Sequence, residues 1–219
     1  MEFLKTAASR LPLSWQQELR RQRFRRQIRS GRFGTLMPEY HMLASLLGPG
    51  DWAIDVGANI GHYTKRMSDL VGAEGRVIAL EPVPDSFALL TSNATLFQHD
   101  NVTLVNAAAS ERTQVVGFSV PRFASGLVNY YEAAITPGAS DLRVLTLSLD
   151  SLAIPQRVRL IKIDAEGHDA QVLRGAEQLL RRDHPVLIVE APAQLVGEYL
   201  EGFGYAGERA EGAPNTIWR

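Results

Sequence analysis

Ile54-Asp55-Val56-Gly57-Ala58-Asn59-Ile60-Gly61 decides the fold. With Trp52 and Ala53 it forms a short apolar strand that runs into a glycine turn, and a helical pattern follows to about Val71. Glycines at 57 and 61 permit a tight strand-to-helix turn and close approach of backbone to a ligand. The alternation continues outward. Arg76–Leu80 reads as a strand and Pro84–Phe97 as a helix, with Val102–Asn106 as a third strand. Arg159–Ile163 is another strand, followed by a helix over 168–181 and a strand at Val186–Val189. Short apolar strands separated by helices predict an α/β, doubly wound, mostly parallel sheet.

The flanks read differently. Residues 12–30 form a helical pattern with Leu13, Leu19, Phe24 and Ile28 set among arginines, ended by Gly31 and Gly34. A short helix over 38–47 opens with Pro38 and stops at Gly48-Pro49-Gly50. Val115–Val120 and Arg143–Leu149 read as extra strands around a Gly/Ala/Ser/Pro-rich loop, and residues 121–142 are expected to shape a substrate pocket. The expected organisation is a basic arm, residues 1–35, followed by one domain, residues 36–219.

Composition narrows the function. The 219 residues contain no cysteine, which excludes disulfides, thiolate metal sites and cysteine nucleophiles. The formal charge of −1 divides into +7 over residues 1–32 and −8 over the rest. An acidic body argues against a dedicated nucleic-acid binder and against DNA as a partner. The arm would suit RNA, an anionic lipid surface or an acidic substrate, but the preferred reading is a solvated helix that packs Leu13, Phe24 and Ile28 on the domain or serves as a lid. The chain has 20 Arg against three Lys, so clustered arginine is less telling here than elsewhere. No apolar run approaches the ~18–20 residues that span a bilayer, and residues 1–15 lack a signal-peptide pattern. A cytoplasmic location is the expectation. Oligomeric state leaves no mark in the sequence.

The glycine turn restricts its ligand. Asn59 stands where the second glycine of a dinucleotide fingerprint belongs, and no phosphate-cradling G-x-x-x-x-G-K-[ST] loop is present. Asp55 at the strand tip would repel a pyrophosphate but suit an amino group or a sulfonium. Glu81 ends the second strand 20 residues after Gly61, where an acid accepts hydrogen bonds from ribose hydroxyls. Adenosine ribose, positive charge and no phosphate together describe S-adenosylmethionine.

At this point the motifs resemble those of FkbM-type methyltransferases. Asp55–Tyr63, Glu81-Pro82 and Asn106-Ala107-Ala108 follow that family's order, and Leu160–Asp169 with Val172–Ala176 resembles its K-I-D-x-E-G signature and the helix after it. Asp169 stands where the family often has glutamate. The resemblance spans about Glu39 to Glu190 and leaves residues 1–35 outside. It implies a class I fold, a seven-stranded sheet with an antiparallel last strand, and methyl transfer to oxygen on a small molecule. Asp55, Gly57, Ala58, Asn59, Gly61, Glu81, Asn106 and Ala107 would then hold the cofactor, and Tyr205 and Ile217-Trp218 would lie in the final hairpin.

Methyl transfer needs three atoms held in line and a means of removing the acceptor's proton. Asp164, Glu166 and Glu190 sit at or just beyond neighbouring strand ends, and their carboxylates could converge there. Asp164 and Glu166 are the expected substrate-side carboxylates, with His168 as a further base candidate and His62 near the glycine turn. Asp164 could instead cap the next helix, and Lys162, alternating with isoleucines, is expected to need a buried partner. Hard oxygen ligands of this kind would suit Mg²⁺, yet no paired histidine spacing supports a metal site and no metal ligand is assigned. The competing readings are an RNA methyltransferase using the arm, a non-catalytic binding module on the same fold, and a nicotinamide-dependent oxidoreductase, which Asp55 and Asn59 oppose.

Overall fold

The computed structural model describes residues 12–121, 134–136, 140, 142–209 and 212–219. Its centre is a seven-stranded sheet. In chain order the strands are β1 (Trp52–Val56), β2 (Arg76–Leu80), β3 (Val102–Val105), β8 (Val158–Ile163), β9 (Val186–Val189), β10 (Gly207–Glu208) and β11 (Thr216–Trp218). They lie side by side as β10-β11-β9-β8-β1-β2-β3. All pairs from β3 to β9 are parallel, and β11 runs antiparallel to both β9 and β10. The expected antiparallel last strand is therefore present. Tyr205 precedes the terminal hairpin rather than lying in it, and its buried hydroxyl donates to the Pro185 carbonyl at 2.9 Å.

Alternation along the central strands sends side chains into two apolar layers. Ile54, Val56, Ile161 and Ile163 pack with α5 (Asp169–Arg174) and α6 (Glu177–Asp183). Ala53 and Leu160 face the other way, against α2 (Pro38–Leu46) and α3 (His62–Val71), through Leu43, Leu46, Met67 and Val71. Each fully buried aliphatic chain contributes roughly 1.5–3 kcal/mol to this sandwich. Asp55 and Lys162 are paired in the parallel register of β1 and β8, so both interrupt the second layer with charge. Strand order reverses between β1 and β8, which places the ligand crevice of an open α/β sheet at their carboxyl ends.

The single helix expected over 168–181 is two. Gly175 lies between α5 and α6, and a Cβ there would run into the Ser110 carbonyl, so the two backbones pass closely. Beyond α4 (Pro84–Ala94), the insertion forms a second sheet of four strands, β4 (Ala108–Ala109), β5 (Gln114–Ser119), β6 (Ala134–Ile135) and β7 (Leu142–Leu147), ordered β4-β7-β5-β6. β4 pairs in parallel with β7, and the Ser110 amide donates to the Leu147 carbonyl at 2.8 Å. Most of the 121–142 segment expected to shape a pocket lies outside the described residues.

Helix α1 (Leu13–Arg29) lies on the body. Phe24, Ile28 and Phe33 pack with Ile60, Leu89 and Phe97, and Gln17 donates to Asp85 at 2.7 Å. The side chain of Leu13 lies outside the described residues. Trp15 and Leu19 stay on its exposed side. Among the described residues no helix is long and apolar enough to cross a membrane.

Candidate active site

A cavity of about 280 Å³ opens at the carboxyl ends of β1, β2 and β8. One wall is the glycine turn. Gly57 has φ 72°, and a Cβ there would collide with the Asp164 carbonyl, so only glycine lets the β1 turn lie against the end of β8. Asn59 is also left-handed, φ 49°, a conformation that asparagine tolerates better than most residues. Its amide donates to Glu81 Oε2 at 2.8 Å, and the Val83 amide donates to Glu81 Oε1 at 2.8 Å. Glu81 is thus fixed by backbone, with lone pairs left for a ligand. Burial pushes its pKa up to about 7, against the pull of those two amides.

Asp55 lies below the turn, fully buried. Its Oδ2 accepts from the Thr64 hydroxyl at 2.6 Å, which ties β1 to α3, and burial raises its pKa despite Lys162 and Thr64. Ala58 and Ala107 border the cavity. Gly61 and Asn106 do not: Gly61 turns the chain beneath Leu90, and the Asn106 amide group donates to the Glu81 and Pro82 carbonyls, bracing the loop after β2.

The opposite wall is acidic. Asp164 Oδ2 accepts from Lys162 Nζ at 2.9 Å, and Asp55 Oδ1 is 4.0 Å from the same nitrogen. Lys162 is 2% exposed and also sits over the Tyr63 ring, 4.8 Å from its centroid. Burial alone would lower the Lys162 pKa, but the two carboxylates outweigh it and the net shift is upward. Asp164 moves the other way. Burial would raise it, and Lys162 with a hydrogen bond from Glu190 brings it below the usual carboxylate range. Glu190 is pushed up to about 8 by burial and by that shared hydrogen bond, so at neutral pH it keeps the proton and donates it towards Asp164. Lys162 has the buried partners its position required.

Asp164, Glu166 and Glu190 each offer an oxygen within 4.8 Å of the others, which is the convergence expected of them. The set fits a divalent ion poorly. Lys162 already neutralises Asp164 at 2.9 Å, so a divalent ion there would have to compete with an ammonium for that carboxylate. Glu166 has φ 48° at the start of the loop into α5. His168 borders the cavity with Nε2 2.9 Å from Ser110 Oγ, and burial lowers its pKa, so the ring is neutral and tethered to the second sheet. His62 borders the cavity too, stacked against Phe33 with ring centroids 4.4 Å apart.

Three lining residues carry no assignment in the sequence reading. Glu39, in the first turn of α2, is fully buried, and its Oε1 accepts from the Tyr63 hydroxyl at 3.2 Å and from the Asn215 amide group. They come from chain positions 39, 63 and 215, so no local pattern announces them. The available signal was weak: an acid in the first turn of a helix whose other face is apolar.

Sheet order and crevice are those of the class I methyltransferases. Residues 55–203 match the family described as Methyltransferase FkbM domain, and the chain belongs to the FkbM methyltransferase family. S-adenosylmethionine is the cofactor of that class. Hexuronic acid methyltransferase AglP of Haloferax volcanii is 28% identical over 137 residues, 61% of this chain and 53% of that protein. The crystal structure of methyltransferase FkbM from Methylobacillus flagellatus superposes with a TM-score of 0.58 at 18% identity, over 77% of this chain and 43% of that one. Aeropyrum pernix fibrillarin, crystallised with natively bound S-adenosyl-L-methionine, gives 0.51 at 14% identity over 82% and 72%. The chain spans about half the length of the curated relative and less than half of the solved FkbM protein.

Proposed function

We propose that this chain transfers the methyl group of S-adenosylmethionine to a hydroxyl oxygen of a small molecule, a sugar being the first candidate. The observation that carries this reading is Asp164. It is held ionised by Lys162 at 2.9 Å and lies in one cavity with the Gly57 turn and Glu81. The cradle fits the cofactor: Gly57 lets the β1 turn lie against the end of β8 at the cavity wall, and Glu81 retains acceptor capacity beyond its two backbone amides.

In this reading Asp55, Gly57, Ala58, Asn59, Glu81 and Ala107 border the cofactor, while Gly61 and Asn106 shape the turns that carry them. When bound, S-adenosylmethionine supplies an electrophilic methyl group on a sulfonium. Asp164 accepts the hydrogen bond of the acceptor hydroxyl and takes its proton as the oxygen–carbon bond forms. A carboxylate of low pKa suffices, because the hydroxyl becomes strongly acidic only as that bond forms. Glu166 orients the acceptor from the loop, and neutral His168 flanks it. The leaving thioether needs no proton.

The name of AglP supports a sugar acceptor. The charge of the cavity favours a neutral sugar over a uronate. Glu39, Asp55, Asp164 and Glu166 line it, and Lys162 is the one lysine or arginine among the described lining residues. Helix α1 acts here as a brace for the body through Phe24 and Ile28. The test is incubation of the protein with methyl-labelled S-adenosylmethionine and a panel of neutral sugars, uronates and a structured RNA. Label on a sugar oxygen, with Asp164→Asn inactive, is the expected result. Label on RNA overturns the acceptor class, and cofactor binding without label on any acceptor leaves a binding module.

A further inference from the structure

Helix α1 has two unlike faces. Phe24 and Ile28 hold the inner one on the body. Trp15, Leu19, Arg23, Arg26 and Arg29 follow one another at intervals of four and three residues, so they form a single stripe on the opposite side, about 20 Å long. All five are exposed, Trp15 at 65% and Leu19 at 52%. Among the described residues none of these three arginines enters an ion pair, and Arg23 only lies over the Phe24 ring. Glu18, the one acid of the helix, is already paired with Arg21 at 3.1 Å. The stripe therefore presents uncompensated positive charge beside apolar surface.

Charge and shape together select its partner. Seven of the chain's 20 arginines lie in residues 20–32, while the chain beyond residue 32 carries −8. Such a molecule meets an anionic surface with α1 and is repelled by it elsewhere. Trp15 and Leu19 then decide between lipid and RNA. A tryptophan with an aliphatic neighbour buries its area at the boundary of headgroups and acyl chains. A nucleic-acid strand is held instead by successive aromatic platforms, and Leu19 offers no ring to stack on. We propose that the outer face of α1 docks this protein onto an anionic lipid bilayer. Trp15 and Leu19 enter the headgroup region, and Arg23, Arg26 and Arg29 meet the lipid phosphates and carboxylates. Docking leaves the inner face in place, where Phe24 lies 6.2 Å from Phe33, and Phe33 4.4 Å from His62 at the cavity wall, between ring centroids. Two ring contacts thus join the docked helix to the cavity. The proposal goes beyond the catalytic reading above and does not depend on its acceptor.

The test is cosedimentation of the full chain with vesicles of phosphatidylcholine alone and of phosphatidylcholine with about 30% phosphatidylserine. Binding to the anionic vesicles is expected to be at least about tenfold tighter, and to disappear as salt is raised from about 0.1 to 0.5 M. Tryptophan emission should shift to the blue on binding, and Trp15→Phe should remove that shift, because Trp52 and Trp218 pack in the core. Arg26→Gln combined with Arg29→Gln should weaken binding tenfold or more, at about fivefold per arginine, with an unchanged melting transition. Equal binding to both vesicles, or binding to neither, overturns the proposal. So does full affinity in the double variant, or an emission spectrum of the unmodified protein that vesicles do not move. A structured RNA that strips the chain from the anionic vesicles at equal salt would assign the stripe to nucleic acid, which also overturns it. Should a variant fail to fold, the comparison of the two vesicles on the unmodified protein still decides.

Discussion

The two walls of the cavity are built by opposite means. The wall proposed for the cofactor is backbone: a glycine that no other residue replaces, an asparagine in the left-handed region, and two amides that fix Glu81. The wall proposed for the acceptor is side-chain charge: Asp164, Glu166 and Glu190 beside one buried lysine. A wall of backbone is continuous in the sequence and tolerates little change. A wall of side chains is assembled from separate strands and can be adjusted one group at a time. If this contrast is right, substitutions in the first wall should damage the fold along with binding, and those in the second should damage chemistry first.

Gly57→Val is the most severe test. Its Cβ meets the Asp164 carbonyl and its φ of 72° is hostile to a branched side chain, so the chain should lose more than about 4 kcal/mol or fail to fold, as chemical denaturation would show. Lys162→Met leaves Asp55 and Asp164 without their counter-charge and should cost roughly 3–5 kcal/mol in the same assay. A neutral result there would show that the two carboxylates can share protons as Glu190 does. Asp164→Asn should lower turnover about 10²–10⁴-fold while S-adenosylhomocysteine affinity changes little. Loss of binding in that variant would erase the division between the walls.

A smaller effect comes from pH. Glu81 has its pKa raised, so its proton is held below about 7 and lost above it. Without ligand, this group's contribution to stability is fully present below the ordinary carboxylate pKa and declines as pH rises through 7. Ribose hydroxyls need the ionised form, so cofactor affinity should rise several-fold from pH 6 to pH 8. Glu81→Gln should flatten that profile in titrations at the two pH values. Least of all, a chelator should leave turnover unchanged, since Lys162 and the Glu190 proton already balance the acidic cluster. A Mg²⁺ requirement would mean that cofactor binding displaces the lysine.

The same contrast explains what could be read in advance. Trp52–Val56 and Arg76–Leu80 were legible to the residue because a buried parallel strand is a mainly apolar run between turn signals. Gly57, Glu81 and Asp164 were legible because each ends such a run. The break at Gly175 was not, since what that glycine lies against, the Ser110 carbonyl, is 65 residues away in the chain. Glu39 and Asn215 escaped for the same reason: 176 residues separate two side chains that share a hydrogen bond. Tyr63 stood inside a recognised motif, but only its contacts with Glu39 and Lys162 show what it holds. Phe24 and Ile28 could be read as the arm's seat because they are apolar positions at helical spacing among arginines, and they pack on Ile60 and Leu89.

The second sheet has a consequence for engineering. Its two roots are neighbours, with Ala109 beside Leu147 and the Ser110 amide on the Leu147 carbonyl. The chain therefore leaves the body and returns to it at one place. Phe118 and Ile135 of that sheet border the cavity, while Gly57, Asn59 and Glu81 belong to the main one. A library confined to residues 111–145 would therefore explore new acceptors on an unchanged catalytic chassis.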